Sequence, residues 1–419
     1  MLSCLFLRFY IFLTLITVPH LATAESDLWQ VDGKLELAAW SSNRSLNKIN
    51  EGIFPATLAL KGKVNVTDDL HLYADGRVGH PDYFADKNSF GVAREVYLDY
   101  NLNSADIRIG KQLLAWGRAD RINPTDSLTS KDYRWLAPEE EDARFGNTGI
   151  RYAQHLGNYT ASSVWLPYMS SSRIPLTPQY VSQVAIQQPN INDNFAIKLD
   201  RTGEAIDSSL SFYSGIDTMP SLEINSTTPY ALSNHRIQRY GGDMAWAFSS
   251  YTLRTELAYT HTGKSTEFSG EKYDYFQGVI GLERQFANSF NVIVQTVYQS
   301  ALGWRGYQSW STPQQQQLMQ IQQIINQQPV QDYFGIAYRV SKKILNDDLE
   351  LEYSGLGLTS NQGFLMRPRL RYQINDESSF VLGGDYYNGS DNTIFGRLRD
   401  ISTVFVEFNY AFGLSSSKF

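Results

Sequence analysis

The 419-residue sequence predicts an all-β fold, a transmembrane antiparallel β-barrel. Three observations lead to it: apolar and polar residues alternate along many segments, short polar turns alternate with long connections, and the chain begins with an export signal. In a strand, alternate side chains point to opposite faces. A membrane barrel needs that pattern, because one face of each strand meets lipid and the other meets water.

The export signal is predicted at residues 1–24. It combines Arg8, an apolar run over residues 9–18, and the small-residue cleavage site Ala22-Thr23-Ala24. A membrane-anchoring helix is the alternative, but the run is shorter than the roughly 20 apolar residues that span a bilayer. Cleavage would leave a barrel domain over residues 25–419 and remove Cys4, the chain's one cysteine. Disulfides and thiolate metal sites are therefore not expected.

The clearest alternation lies near the C-terminus. Every second residue from Val406 to Phe412 is apolar, whereas Glu407 and Asn409 occupy positions between them. Charged side chains at alternate positions could not lie in a dry core, so their face must meet water. Aromatic residues are also abundant, with 26 Tyr and 22 Phe, which suits the girdles at the two membrane interfaces. Similar alternation recurs at residues 58–66, 70–78, 95–100 and 366–372.

Connections of two lengths predict the topology. Counting strands between them gives about 18 (16–18), with both termini on the side of the short turns. A barrel of that size can enclose an aqueous channel. The short turns are expected at residues 67–69, 103–106, 155–158, 201–205, 249–250, 287–289, 346–348 and 375–378. The long connections are expected near residues 43–55, 81–90, 119–142, 168–194, 217–234, 263–271, 303–331, 356–363 and 388–400.

One segment, residues 108–126, stands out. A strand there would project Arg108, Gln112, Trp116 and Arg118 to one face, toward the lumen. Lys111 interrupts the alternation, which predicts a bulge or a local register change. The segment resembles a poorly characterised family of Gram-negative outer-membrane barrels. The resemblance is carried by Gly110-Lys111-Gln112, Trp116-Gly117 and Asn123-Pro124-Thr125-Asp126. It extends to alginate-export-like and general porin barrels, and it implies a role in membrane passage, in some members beside export systems.

The long loop that follows this strand is rich in charge. A loop folded into a pore would place opposite charges across the lumen and create a field that orients solutes. The alternative is that the arginines and aspartates pair with each other to brace the loop, while the acidic run lies in external solvent. The candidate constriction residues, besides Arg108 and Trp116, are Arg118, Asp120, Arg121, Asp126, Glu139, Glu140, Glu141, Asp142 and Arg144.

A second candidate is a ladder of arginines on one inward face: Arg367, Arg369 and Arg371. Stacked guanidinium groups repel each other unless carboxylates or an anionic solute balance them. The candidate neutralising residues are Glu350, Glu352 and Asp385. Any surplus positive potential would favour anionic solutes.

The Gln-rich stretch at residues 314–328 has apolar residues spaced as in a short amphipathic helix. That helix would cap or enter the pore, or lie outside it. The six histidines show no metal-ligand spacing, and no Gly-x-Ser-x-Gly motif is present. No cofactor is therefore predicted.

The sequence favours an outer-membrane channel, porin-like or part of an export route, that passes small or polymeric solutes through a charged constriction, without enzymatic activity. The alternatives are a structural barrel that anchors a surface polymer or partner, and an outer-membrane hydrolase. Expected partners are outer-membrane lipid, the barrel-insertion machinery, which would read Phe412 or Phe419, and possible export components. The net charge of −7 gives no reason to expect nucleic acid binding.

Overall fold

A computed structural model describes residues 27–42, 53–80, 90–133, 140–174, 184–186, 193–223, 230–263, 272–359, 362–391 and 393–417. The predicted export signal at residues 1–24, the candidate Glu139 and the terminal Phe419 lie outside the described residues.

Eighteen strands form one antiparallel sheet, which closes because the first strand pairs with the last, from Asp27↔Ser417 to Ser42↔Thr403. The predicted fold and the strand count of 18 are confirmed. Closure leaves no unpaired edge, as a barrel in lipid requires. In chain order the strands are β1 (Asp27–Ser42), β2 (Ala56–Asn65), β3 (Leu70–His80), β4 (Phe90–Asn101), β5 (Ala105–Gln112), β6 (Asn147–Leu156), β7 (Tyr159–Leu166), β8 (Asn194–Arg201), β9 (Ile206–Ile216), β10 (Arg236–Phe248), β11 (Tyr251–Thr262), β12 (Tyr275–Phe286), β13 (Phe290–Ala301), β14 (Asp332–Ile344), β15 (Leu349–Leu358), β16 (Gly363–Gln373), β17 (Ser378–Asn388) and β18 (Thr403–Ser417).

Short turns join the strands on one side of the barrel and longer connections join them on the other, as predicted. The long connections contain helices α1 (Pro313–Ile325) and α2 (Ile394–Leu398) and the 3-10 turns Glu140–Ala143, Tyr307–Ser309 and Arg399–Ile401. They also contain a small sheet of Val184–Ile186, Tyr230–Ser233 and Ser221–Glu223, and a pairing of Ser130–Lys131 with Arg144–Phe145.

The faces of β18 follow the predicted alternation. Val404 and Val406 are exposed on the outside of the barrel, whereas Glu407 and Asn409 are buried on the inside. The same division holds around the wall, where exposed Leu, Ile, Phe and Tyr side chains cover the outer face. No helix among the described residues combines the length and the apolar character needed to cross a membrane.

The predicted helix in the Gln-rich stretch is present as α1. It begins at a capping box, in which the Thr312 hydroxyl accepts from the Gln315 amide and the Gln315 side chain accepts from the Thr312 amide. Pro313 occupies the first helical position, where its missing N–H costs nothing. Gln322 donates to the Leu222 carbonyl at 2.7 Å, so the helix is attached to the small sheet of the long connections.

An apolar cluster lies inside the barrel rather than on its lipid face. Leu114 and Leu128, from the connection after β5, are buried against the inner wall formed by β7 to β10, and Trp116 packs beside them. Apolar burial is non-directional and favours any arrangement that removes this surface from water. It therefore draws the start of the connection into the lumen. The wall residues of the cluster are Val164, Leu166, Met169, Ala196, Tyr213, Ile216 and Ile237.

Neither a bulge nor a register change is found at Lys111, and the irregularity lies instead on the neighbouring strand, β4. Lys111 pairs in register with Val96 and with Thr148, while the pairing of β3 with β4 shifts between Asp75 and Gly76. The extra residue is Arg94 on β4, which is buried. A bulge re-aims its side chain, and here the side chain points toward the connection that follows β5.

Candidate functional site

The connection between β5 and β6, residues 113–146, crosses the lumen, and we call it the crossing loop. Its described parts are residues 113–133 and 140–146. It leaves the wall at Gln112, earlier than the predicted strand, which would have continued to Arg118. Its hydrogen bonds reach inward-facing side chains on β10 and β11 and, on the opposite wall, on β14 and β15.

Arg118 attaches the loop to one part of the wall. Its guanidinium bonds Asp243 on β10 and lies 3.1 Å from the Asp200 carboxylate on β8. Lys198 also contacts Asp200, at 2.9 Å, and its ammonium group lies 5.9 Å from the centre of the Trp116 ring. Two cations therefore face two aspartates beside the apolar cluster.

The next charges of the loop bind the opposite wall. Asp120 accepts two hydrogen bonds from Arg339 on β14, at 2.8 and 3.1 Å. Arg121 has a φ of 65° and bonds Glu352 at 2.7 Å and the Ser354 hydroxyl at 2.8 Å, both on β15. Two-point arginine–carboxylate contacts fix direction as well as distance. The tip of the loop is thus held in one position.

Backbone contacts reinforce this attachment. The Gln295 side-chain amide on β13, oriented to satisfy both groups, bonds the Asp120 carbonyl and amide at 2.8 Å each. On the near side, Arg239 of β10 donates to the Asp126 carbonyl at 3.1 Å and to Tyr275 at 2.9 Å. Burial raises the pKa of the Asp126 carboxyl, and its contact with Thr129 opposes that shift.

The returning part of the loop is held by two arginines of the wall. Arg94 donates to the carbonyls of Arg144 at 3.0 Å and Glu141 at 2.9 Å, and it contacts Asp75 at 3.3 Å.

The second arginine, Arg77, forms an ion pair with Asp142. Of the predicted acidic run, Asp142 therefore points into the barrel, while the Glu141 side chain is exposed and lies 3.4 Å from Arg144. Glu140 begins the 3-10 turn.

The contacts of Arg118, Asp120 and Arg121 differ from the alternative in which the loop charges brace each other, whereas the exposed Glu141 side chain beside Arg144 agrees with it. Arg118, Asp120 and Arg121 each bond a wall residue of opposite charge, on β8, β10, β14 or β15. The pairs join residues that are far apart in sequence, such as Arg121 and Glu352, which are 231 positions apart.

Glu256 of β11 is the residue that the sequence did not single out. It is fully buried, and its carboxylate accepts from the Arg118 and Ala119 amides at 2.5 and 2.6 Å. Asn123 and the Thr125 hydroxyl donate to it at 3.0 Å each. One wall carboxylate thus contacts four residues of the crossing loop. A single polar residue in an alternating strand gives no sequence signal for this.

The arginine ladder lies on β16, as predicted, and of its three candidate neutralising residues Asp385 contacts it, Glu350 lies in register with it and Glu352 is engaged elsewhere. Asp385 on β17 contacts Arg367 at 3.1 Å and Arg369 at 2.6 Å.

Glu352 instead binds Arg121 of the loop and lies 3.8 Å from Arg339. In the strand register Arg371 lies opposite Glu350 on β15. Arg369 also stacks over Phe405, with its guanidinium 4.8 Å from the ring centre.

Arg108 lies apart from these groups. It bonds Asp99 on the neighbouring strand at 2.7 Å and stacks over Tyr97 at 4.1 Å. Both contacts are within the wall near the short turns, so Arg108 does not join the crossing loop.

A cavity of about 560 Å³ remains between the crossing loop and the wall. Asp120, Arg121 and Asp126 line it from the loop, and Arg367 and Asp385 line it from the wall. Asn326, which caps the C-terminal end of α1, and the two residues after it line the same cavity. Its uncharged polar lining residues include Gln277, Gln295, Gln299, Gln327, Gln328, Tyr275 and Tyr333. Within the described ranges, no group of three or more His, Cys, Asp and Glu side chains is placed to hold a metal ion.

The fold is similar to that of solved bacterial barrels at low sequence identity. OccK11 (OpdR) of Pseudomonas aeruginosa has a TM-score of 0.57 and 11% identity, over 95% of this chain and 100% of that one. OccAB2 of Acinetobacter baumannii has a TM-score of 0.58 and 9% identity, over 93% of this chain and 100% of that one.

The outer membrane protein opdK of Pseudomonas aeruginosa has a TM-score of 0.58 and 10% identity, over 92% of this chain and 99% of that chain. No protein-family model matches the sequence, and no curated protein matches it. The resemblance of residues 110–126 to a particular barrel family therefore stays a prediction. These comparisons place the chain in the fold of 18-stranded outer-membrane barrels.

Proposed function

We propose that this protein is an outer-membrane channel through which small solutes diffuse, and that the crossing loop forms the narrow part of the route. The observation that carries the proposal is the attachment of the loop across the lumen. Its tip bonds β14 and β15, yet a cavity of about 560 Å³ remains beside it. A loop that crosses an aqueous barrel without filling it narrows the passage, and its charges face whatever passes.

We infer that the passage favours anionic solutes. The loop engages Glu352, and Asp385 contacts both Arg367 and Arg369, so these two guanidinium groups share one carboxylate. A surplus of positive charge on a lumen wall raises the local concentration of anions. Passive diffusion has no direction of its own, so the same channel would serve uptake or an export route. The mechanism needs no bond making or breaking, and we propose no enzymatic activity.

Single-channel recording tests the proposal. The protein is purified, inserted into planar lipid bilayers, and compared with a variant in which residues 118–125 are replaced by a shorter Gly–Ser linker. We expect stable conductance steps from the wild type and larger steps from the variant, because the linker no longer reaches the far wall. In a KCl gradient, the reversal potential should show a preference for chloride.

Two results would count against the proposal. If neither protein conducts, the barrel is not a channel, and the structural alternative becomes the better interpretation. If the wild type conducts but prefers potassium, the channel stands and the inferred selectivity is wrong.

A further inference from the structure

The Glu256 carboxylate is buried, and its hydrogen-bond donors are neutral groups. It is 0% exposed, and it forms no ion pair with any Lys, Arg or His of the described residues. Burying an unpaired carboxylate is costly unless hydrogen bonds satisfy it. The groups that satisfy Glu256 all belong to the crossing loop.

Those groups surround both oxygens of the carboxylate. The Arg118 and Ala119 amides and the Asn123 side chain donate to Oε1, at 2.5, 2.6 and 3.0 Å. The Thr125 hydroxyl donates to Oε2 at 3.0 Å, with the Thr125 amide at 3.4 Å. Consecutive backbone N–H groups that converge on one point form an anion-binding nest. The turn at residues 117–125 is such a nest.

The loop backbone is shaped for this contact. Gly117 has a φ of 100°, and a Cβ at that position would lie 2.6 Å from Glu256 Oε1. Only glycine combines this backbone conformation with so close an approach. Asn123 also donates to the Ala119 carbonyl at 2.9 Å, which closes the turn on itself. The Trp-Gly and Asn-Pro pairs that stand out in the sequence thus supply residues of the carboxylate-binding turn.

A neighbouring carboxylate of the wall makes the loop contact with Glu256 more important. In the register of β10 and β11, Glu256 lies directly opposite Asp243, on the same inner face. Like charges at opposed positions destabilise a sheet. Arg118 stabilises both carboxylates, because its guanidinium bonds Asp243 while its backbone amide bonds Glu256. The docked loop therefore stabilises the wall as well as itself.

We infer that residues 117–125 form a carboxylate-binding site that Glu256 occupies within the same chain, and that this occupancy latches the crossing loop across the lumen. When the Glu256 side chain is removed, the site is vacant and accepts a small free carboxylate of formate or acetate size. The latch is a property of the loop itself. It rests on the proposed function only in its effect on conduction.

The test combines Glu256→Ala with added formate. We expect the variant to conduct more than the wild type, because its loop leaves the far wall part of the time. The amides of Arg118 and Ala119 should exchange with deuterium at least about tenfold faster, since each loses a hydrogen bond to a charged acceptor. Sodium formate, but not sodium chloride of equal ionic strength, should reverse both changes. Glu256→Gln keeps the shape without the charge and should give an intermediate effect that formate does not reverse.

Glu283→Ala is the matched control. Glu283 is another inward carboxylate, on the next strand, and its bonds to Arg254 and Asn291 stay within the wall. Its removal should leave the exchange of the loop amides unchanged. The latch is overturned if Glu256→Ala exchanges like the wild type, or if formate acts equally on all proteins. If Glu256→Ala does not fold, Glu256→Gln is used instead. Loop amides that exchange at the wild-type rate in that variant would also overturn the latch.

The two proposals fail separately. If the wild type does not conduct while the exchange of Glu256→Ala rises and formate reverses it, the channel is rejected and the latch is supported. If the wild type conducts and Glu256→Ala matches it in conductance and exchange, the latch alone is rejected.

Discussion

The crossing loop and strand β16 both bring arginines into the lumen, but they differ in the carboxylates available to them. Around the loop the charges match one for one: Arg118 and Lys198 face Asp200 and Asp243, and Arg121 and Arg339 face Glu352 and Asp120. On β16, Arg367 and Arg369 both contact the carboxylate of Asp385. Cations that are matched one for one by carboxylates hold a structure in place, whereas two cations that share one carboxylate retain an outward field. The difference separates side chains that position the loop from side chains that face the solute.

The largest effect on stability is expected for an ion pair that is matched one to one and is also buried. Asp217, which follows β9, and Lys272, which precedes β12, lie 2.5 Å apart, and both are almost completely buried. Asp217→Asn leaves the Lys272 charge unpaired, which should destabilise the packing of these two connections by about 3–5 kcal/mol. Hydrogen exchange at the Met219 amide, which bonds Asp217 at 3.1 Å, measures this.

The double variant Asp217→Asn with Lys272→Met is the control, because it removes both charges, which should cost far less than removing one, and keeps a side-chain oxygen for the Met219 amide. Equal protection in the single and double variants would show that the pair has no positioning role.

The same pair predicts a pH dependence. The Lys272 ammonium and the nearby Arg239 hold the pKa of Asp217 below its ordinary value, against the effect of burial. Asp217 therefore stabilises the folded connections above its unfolded pKa of about 3.9, and this contribution is lost as the pH falls through the lower folded value. Asp217 and Tyr275 raise the pKa of Lys272 above its ordinary value, against the effect of burial. That contribution is complete below about 10.4 and is lost as the pH rises further.

Exchange protection of the Met219 amide, corrected for intrinsic rates, should therefore be flat through neutral pH, fall below about 4 and fall again above about 10.4. A decline between pH 5 and 8 would contradict this assignment.

A smaller effect is expected for the partly exposed pair at the loop tip. Asp120→Arg places like charges beside Arg339 and should release the tip, at a cost of about 1 kcal/mol of docking energy. Single-channel conductance should rise. The exchanged pair, Asp120→Arg with Arg339→Asp, should recover part of the wild-type conductance, because the attraction is restored with its direction reversed. If the double variant conducts as much as the single one, the Asp120–Arg339 contact does not hold the loop.

The fold could be predicted from local pattern, while the site could be predicted only in part. Alternation and turn spacing are properties of neighbouring residues, and they gave the faces of β18 and the count of 18 strands. Arg118, Asp120 and Arg121 were found as candidates because they cluster in the sequence. Glu256 was not, since its partner Arg118 is 138 positions away and its own neighbours describe an ordinary strand.

The assignment of Glu352 to the arginine ladder failed for the same reason. Its adjacent strand offers Arg369 in register, but Arg121 arrives from a loop 231 positions earlier. Position in a strand gives the face that a residue occupies. It does not give which of several oppositely charged groups will reach it.

The smallest effect, and the one that tests the comparison most directly, is a shift of ion selectivity. Asp385→Asn removes the carboxylate that Arg367 and Arg369 share, so the lumen face of β16 should gain one net positive charge. The chloride-to-potassium permeability ratio, from the reversal potential in a KCl gradient, should rise roughly twofold at low salt and less at high salt, because mobile ions screen the added field. Glu352→Gln removes a carboxylate of the same lumen face that the loop engages. It should mainly change the conductance by freeing Arg121. If both variants shift the permeability ratio equally, arginines matched one for one by carboxylates affect the ions in the lumen as much as arginines that share a carboxylate. The distinction between positioning charges and solute-facing charges would then be wrong.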